Sequence, residues 1–433
     1  MPVKSTNPAL NGTPWPKVFA GLAGAWLGLA LLKFGNPIIL DRLVEPPRGF
    51  WEFVFNSWPV AWGYALLAVL LAVSVPVIRF KVKVPLWVLA LPLVWFGWQL
   101  LSATGTVDAG LTKATVTHFT VCIICFYLGL FALSHVEDMT LFWILLLAGF
   151  VWVLWTGFGQ HFGGLESTRR MIYAQEDWRQ LSPEYLKRIA SNRIFSTLVY
   201  PNALAGAILL LLPPLLGVLL HLTGRMTNIG RGVLVGLLAY AGLACLYWSG
   251  SKSGWLIAMT LGLLVLLRLP FPRKVKVAIA ATALAIGLAG FFIKFSTYFQ
   301  RGATSVGARF DYWRAAWDTA TSHPWLGTGP GTFSISYRQL ITPEAEMTRL
   351  VHNDYLEQAS DSGFPGFAAY LVFILVSMTL LFRNADKNQL RFLVWLGLAG
   401  WALQGLVEFG LYIPALAWPA FLFLGWLWGT DAK

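Results

Sequence analysis

The chain has 433 residues, of which 57% are hydrophobic and 12% charged, and its formal net charge is +12. Soluble domains carry about 25% charged residues, so this chain has too little polar surface to coat a water-soluble globule. The basic excess suits anionic membrane lipids as partners and gives no reason to expect nucleic acid.

The polar start, 1–16, lacks the charged-then-apolar order of a cleaved signal peptide, so the first apolar run reads as an uncleaved signal anchor. Runs of about 20 apolar residues match roughly 30 Å of hydrocarbon. They predict twelve spans at 17–36, 58–78, 84–102, 112–134, 139–158, 194–221, 231–248, 254–269, 275–294, 366–383, 390–409 and 411–429. Trp58, Trp62, Trp248 and Trp426 fall near run ends, where an amphipathic ring suits the headgroup zone. Cys122 and Cys125 lie inside an apolar run and, with Cys245, read as small buried helix residues rather than a metal or redox pair. Pro201, Pro213 and Pro214 are expected to kink the sixth span. The expected fold class is an all-α polytopic integral membrane protein, a single membrane domain over 1–433 with no internal repeat.

Orientation follows from the short loops. Arg79, Lys81 and Lys83, then Arg225 and Arg231, then Arg268, Arg273, Lys274 and Lys276, then Arg383, Lys387 and Arg391 mark alternate loops as cytoplasmic. Two longer polar segments, 159–193 and 295–365, then fall on the outer face. The first holds Arg169, Arg170, Arg179, Lys187, Arg188 and Arg193; the second holds Arg301, Arg309, Arg314, Arg338 and Arg349. Topology does not require these outer cations, so they invite a functional account.

The residues that could carry chemistry come in chain order. Arg193 opens the sixth run, where a guanidinium either snorkels or clamps phosphate. Asn202 lies inside the same run, where an amide needs a partner or a cavity. Ser249–Gly254 (SGSKSG) is a small-residue turn that places Lys252 on the outer face. Phe310–Trp317 (FDYWRAAW) has the spacing of a short interfacial helix, with Arg309 ahead of it and Arg314 within it. In His323–Phe333 (HPWLGTGPGTF), Gly327, Gly329 and Gly331 read as a structural turn, not a dinucleotide fingerprint.

His352 follows in Met347–Leu356 (MTRLVHNDYL). If 352–362 is helical, His352, Tyr355 and Leu356 share one face, and Glu357 and Asp361 share another. Read alone, the imidazole either packs and hydrogen-bonds or accepts a proton from an attacking hydroxyl. Gln404 and Glu408 lie four apart in the eleventh run, and a carboxylate near a span end invites a pocket role.

His352-Asn353-x-Tyr355-Leu356, an acid at 361, Gly363 and Gly366 resemble the signature of the O-antigen ligase and polymerase superfamily. Trp313, His323-Pro324, the glycine turn, Arg193 with Pro201-Asn202, and the Ser-Lys-Ser-Gly turn fit the same pattern, over roughly 190–370. Asp361 stands where the family usually has Glu, and Lys252 where Arg is common. The resemblance implies a membrane glycosyltransferase of the GT-C-like type, facing the periplasm from the bacterial inner membrane. The donor would be O-antigen on undecaprenyl pyrophosphate and the acceptor lipid A–core oligosaccharide. A polymerase would instead extend the glycan on its carrier. The implied reaction is inverting and uses neither metal nor other cofactor.

His352 would be the general base, and Arg193, Arg309, Lys252, Arg301 and Arg314 would bind pyrophosphate. Asn353, Tyr355, Asp361 and Asn202 would support the site; Asp361 and Glu357 would orient the histidine or an arginine rather than act as nucleophiles. A transporter is the reading from another class. It should show matched halves with broken helices, and no such pairing is visible.

Overall fold

A computed structural model describes residues 14–80, 83–174, 178–180, 186, 190–300, 304–341, 346–385 and 388–431. Arg301, Lys81, Lys187, Arg188 and Lys387 lie outside the described residues. The regular structure among the described residues is helical. In chain order the helices are α1 (Trp15–Lys33), α2 (Phe50–Phe55), α3 (Val60–Ser74), α4 (Leu86–Ser102), α5 (Ala109–Phe131), α6 (Thr140–Gly159), α7 (Leu165–Tyr173) and α8 (Pro201–Leu222). They continue with α9 (Asn228–Ser249), α10 (Lys252–Arg268), α11 (Arg273–Gln300), α12 (Thr304–Ser322), α13 (Phe333–Leu340), α14 (Asp354–Ala385), α15 (Gln389–Gln404) and α16 (Pro414–Asp431).

Each of the twelve predicted runs coincides with a helix, but among the described residues eight helices are long and apolar enough to cross a membrane. Several helices begin or end inside their apolar runs. The run 58–78 is helical only over 60–74, and α3, α10 and α15 have 15, 17 and 16 residues. At 1.5 Å per residue, these fall short of the roughly 30 Å hydrocarbon layer.

Helices meet by backbone contact where glycine allows it. A Cβ on Gly425 would lie 1.8 Å from the Phe126 carbonyl oxygen, so α16 touches the main chain of α5. Apolar side chains gain little from leaving lipid, so such close van der Waals contact holds membrane helices together. Cys122, Cys125 and Cys245 are buried and free.

Pro201 does not kink the sixth span. It stands at the first turn of α8, where its missing N–H is an orphan in any case. The preceding 191–200 stretch is not α-helical, and Ser196 and Val199 have φ of 55° and 66°. Pro213 and Pro214 are inside α8.

The glycine turn packs into a break in α14. Ser362 and Gly363 leave helical geometry there, with φ of −132° and 69°. The Gly329 N–H donates to the Asp361 carbonyl (2.9 Å) and the Phe364 N–H to the Pro324 carbonyl (2.9 Å). A Cβ on Gly363 would meet the Trp325 carbonyl oxygen at 2.4 Å, so only glycine permits this approach.

The interfacial helix is longer than its FDYWRAAW core. α12 has 19 residues, and Arg309 lies within it, not ahead of it.

Candidate active site

Four separate stretches of chain converge on one buried carboxylate. α15 ends at Gln404, so Glu408 does not continue that helix; it sits in the turn beyond. Its side chain is buried. Oε1 accepts from Arg309 Nη2 of α12 and from Asn202 Nδ2 at 2.5 Å. Oε2 lies 3.1 Å from His352 Nδ1. Asn202, in the first turn of α8, relays the contact: its Oδ1 accepts from Arg193 Nη2 at 2.7 Å. Arg193 Nε donates to the Ser249 carbonyl (2.7 Å), and Gln404 Nε2 to the Asn202 carbonyl (2.7 Å).

Burial by itself pushes the Glu408 carboxyl up, but Arg309, His352 and Arg193 outweigh it and hold the group below the usual carboxylate range. Glu408 therefore carries a negative charge. An ionised carboxylate at Nδ1 calls for an N–H there, which leaves the lone pair of His352 on Nε2. Burial also pulls the Arg193 guanidinium down, with Glu408 opposing and Arg309 reinforcing the shift.

His352 is not on the helix. α14 begins at Asp354, and His352 precedes it with φ of 55°, in the left-handed region. Histidine visits this region more than most residues, but such backbone still costs roughly 1–3 kcal/mol and persists only where neighbours enforce it. They do so here on both sides. The Val351 N–H donates to Glu357 Oε2 (2.6 Å), and the Asp354 N–H to the Gly405 carbonyl (2.7 Å). Asn353 Oδ1 caps α14 by accepting from the Tyr355 and Leu356 N–H groups, both at 3.0 Å. The imidazole stacks on Tyr312 (5.8 Å between centroids) and meets Phe409 edge-on (4.7 Å).

Three further carboxylates on α14 act on backbone. Asp354 accepts from the Leu411 N–H through both oxygens (3.2 and 3.0 Å), tying the His352 segment to the turn that carries Glu408. Glu357 takes the Val351 N–H. Asp361 Oδ2 accepts from the Gly331 N–H (2.6 Å) and the Tyr412 hydroxyl (3.0 Å). These bonds orient main chain around the histidine, rather than its ring or an arginine.

The partners of Glu408 line a cavity of about 210 Å³, whose wall includes His352, Arg193, Arg309, Asn202, Lys252 and Tyr312. Three cations and one carboxylate, Glu346, share its wall, which leaves the wall net basic. Gly250, left-handed at φ 62°, ends α9 and lets the chain reverse; a Cβ there would lie 3.2 Å from Arg193 Cγ and Nε. Lys252 starts α10, ahead of the apolar run 254–269. Burial, then Arg193 and Arg309, push its ammonium down to about 8.

Of the residues singled out in the sequence, His352, Arg193, Arg309, Lys252 and Asn202 come together. Asn353, Tyr355 and Asp361 stand behind them, with the Tyr355 hydroxyl donating to the Ala402 carbonyl at 3.1 Å. Arg314 is exposed and is not among the residues lining the cavity. Arg169 and Arg170 pair with Glu166 on α7, at 2.8 and 3.1 Å. Glu408 is the centre of the constellation, yet its spacing in the sequence gave only a pocket role without partners.

Fold and site together define an all-helical membrane protein with a histidine–carboxylate pair beside a net basic cavity. Residues 236–371 match the family model described as "O-Antigen ligase", a stretch that includes Lys252, Arg309, His352 and Asp361 but not Arg193, Asn202 or Glu408. A protein of Haemophilus influenzae, described as "Uncharacterized protein", is 26% identical over 165 residues. That likeness covers 33% of this chain and 41% of the relative, so it spans about two fifths of the relative's length. The 236–371 match supports a place in the O-antigen ligase and polymerase superfamily over about a third of the chain.

Proposed function

We propose that the protein is a glycosyltransferase that moves an O-antigen glycan from undecaprenyl pyrophosphate to lipid A–core oligosaccharide. The observation that carries this reading is the His352–Glu408 pair beside three cations on one cavity wall. A base aimed at an anion site suits attack by a hydroxyl on a carbon that bears a phosphate leaving group.

His352 Nε2 takes the proton from the acceptor hydroxyl. The oxygen forms its bond to the anomeric carbon of the first glycan sugar from the face opposite the pyrophosphate, which inverts that centre. The bond from that carbon to the pyrophosphate oxygen breaks, and its electron pair leaves with undecaprenyl pyrophosphate. Arg193, Arg309 and Lys252 neutralise the charge gathering on the leaving group, a contribution that grows where water is scarce. The developing imidazolium is stabilised by Glu408, which stays ionised. The site faces the outer side of the bacterial inner membrane, where both lipid-linked substrates present their sugars.

Glycan distribution in cells lacking the protein tests the reading. Long glycan retained on the lipid carrier, with none on lipid A–core, is the expected result. Single-unit glycan on lipid A–core would favour a polymerase, and unchanged lipopolysaccharide would reject both.

A further inference from the structure

Glu408 stands in the turn between α15 and α16, and that turn is held at several points. Most of these come from α14, the helix that starts just after His352. The Asp354 N–H donates to the Gly405 carbonyl (2.7 Å), the Leu411 N–H to the Asp354 carboxylate, and the Tyr412 hydroxyl to Asp361 Oδ2 (3.0 Å). Another comes from α5, where His118 places Nε2 2.8 Å from the Leu411 carbonyl. Leu411 is therefore gripped on both sides, by Asp354 at its N–H and by His118 at its carbonyl.

His118 is fully buried in the bundle, its ring 5.9 Å from Phe119 and 6.4 Å from Trp418. A carbonyl only accepts, so Nε2 carries the hydrogen and donates it. Cys122 Sγ lies 3.7 Å from the same nitrogen. Nδ1 is then a bare acceptor, and it has no hydrogen-bond partner among the described residues. Packing alone does not account for an imidazole here. Burying an unpaired polar nitrogen is unfavourable, and a phenyl ring would fill the wall without it. What the histidine adds is one directional bond to the turn.

The α14 bonds tie the turn to the segment that carries His352. His118 ties the same turn to α5, whose main chain also meets α16 at Gly425. Leu411 is three residues beyond Glu408, and Glu408 Oε2 must stay within reach of His352 Nδ1, 3.1 Å away. A misplacement of about 1 Å at such a site can cost about 100-fold in rate. Building on the glycosyl-transfer reading above, we propose that His118 is a positioning residue, whose bond to the Leu411 carbonyl fixes the turn that presents Glu408 to His352. It is not among the residues lining the cavity, and it acts through main chain.

Glycan transfer by the full-length protein in lipid nanodiscs tests this, with the glycan on undecaprenyl pyrophosphate as donor and lipid A–core as acceptor. His118→Phe keeps a ring and removes the hydrogen-bond donor, so kcat should fall about tenfold or more while donor KM stays within about threefold. His118→Gln, whose amide can donate to the same carbonyl, should recover most of the loss. In a Glu408→Gln background, His118→Phe should change kcat by less than about twofold, because the carboxylate it positions is already gone. Wild-type kcat in folded His118→Phe, no recovery in His118→Gln, or an equal loss in both backgrounds would each overturn the proposal. If His118→Phe does not fold, His118→Asn, whose amide stops short of the carbonyl, takes its place with the same expectations. If the wild-type protein transfers no glycan, the glycosyl-transfer reading itself fails.

Discussion

Glu408 and the α14 trio of Asp354, Glu357 and Asp361 are all buried, yet their hydrogen bonds go to different places. Glu408 is met by side chains: two arginines, directly or through Asn202, and the histidine. The trio is met mainly by backbone N–H groups at Leu411, Val351 and Gly331. The first arrangement sets charge and tautomer next to the cavity. The second sets the path of the main chain and holds His352 in its left-handed conformation. Burying an acid in a membrane protein is costly, and here one cost supports chemistry while three support geometry.

Replacing Glu408 should have the largest effect, because it leaves two arginines without their shared counter-charge. Glu408→Ala should lose about 3–5 kcal/mol of stability, the usual cost of breaking a buried ion pair, and with it glycan transfer. Glu408→Gln keeps shape but not charge, so transfer should fall by about 100-fold with a smaller shift in thermal unfolding. Equal transfer by Glu408→Gln and wild type would erase the distinction between the two sets of carboxylates.

Asp361→Ala should show the reverse balance. It strands the Gly331 N–H and the Tyr412 hydroxyl, at about 1–3 kcal/mol each, so thermal unfolding should shift strongly. Transfer per folded molecule should fall less than tenfold. A folded Asp361→Ala protein that has lost transfer as completely as Glu408→Gln would move Asp361 into the chemistry.

The pH dependence of donor use comes next. Lys252 is charged below about 8 and neutral above it, so KM for the anionic donor should rise several-fold as pH passes 8. Lys252→Arg should flatten that rise, since a guanidinium keeps its charge. An unaltered alkaline limb in Lys252→Arg would exclude this lysine as its source. Gly250→Ala should do least. It adds roughly 1 kcal/mol of left-handed strain and crowds Arg193, and a few-fold rise in donor KM with kcat nearly unchanged would register it.

Much of the site was legible in the sequence because its cations and histidine interrupt apolar surroundings. Arg193, Lys252 and His352 stood out by position, Arg309 was one of five arginines in its segment, and the family resemblance supplied their roles. Glu408 was half-legible. The sequence placed it in a helix four residues after Gln404, whereas α15 ends at Gln404, and the turn beyond carries Glu408 toward His352. Its partners lie 56, 99 and 206 residues away, beyond the reach of any local spacing rule. The helical face expected at 352–362 failed for a related reason, since Asn353 caps α14 and puts His352 outside it. The apolar runs located the helices well, but hydrophobicity does not mark where caps and turns end them. That is why the runs predicted for α3 and α15 are longer than the helices themselves.

The most direct test of the His352–Glu408 pair is transfer by purified His352→Ala protein, with donor binding measured on the same preparation. Donor affinity should stay within about threefold, because the cations remain, while transfer should fall by about 10²–10⁴-fold, the range for a lost general base. Transfer at the wild-type rate by folded, donor-bound His352→Ala protein would contradict the account.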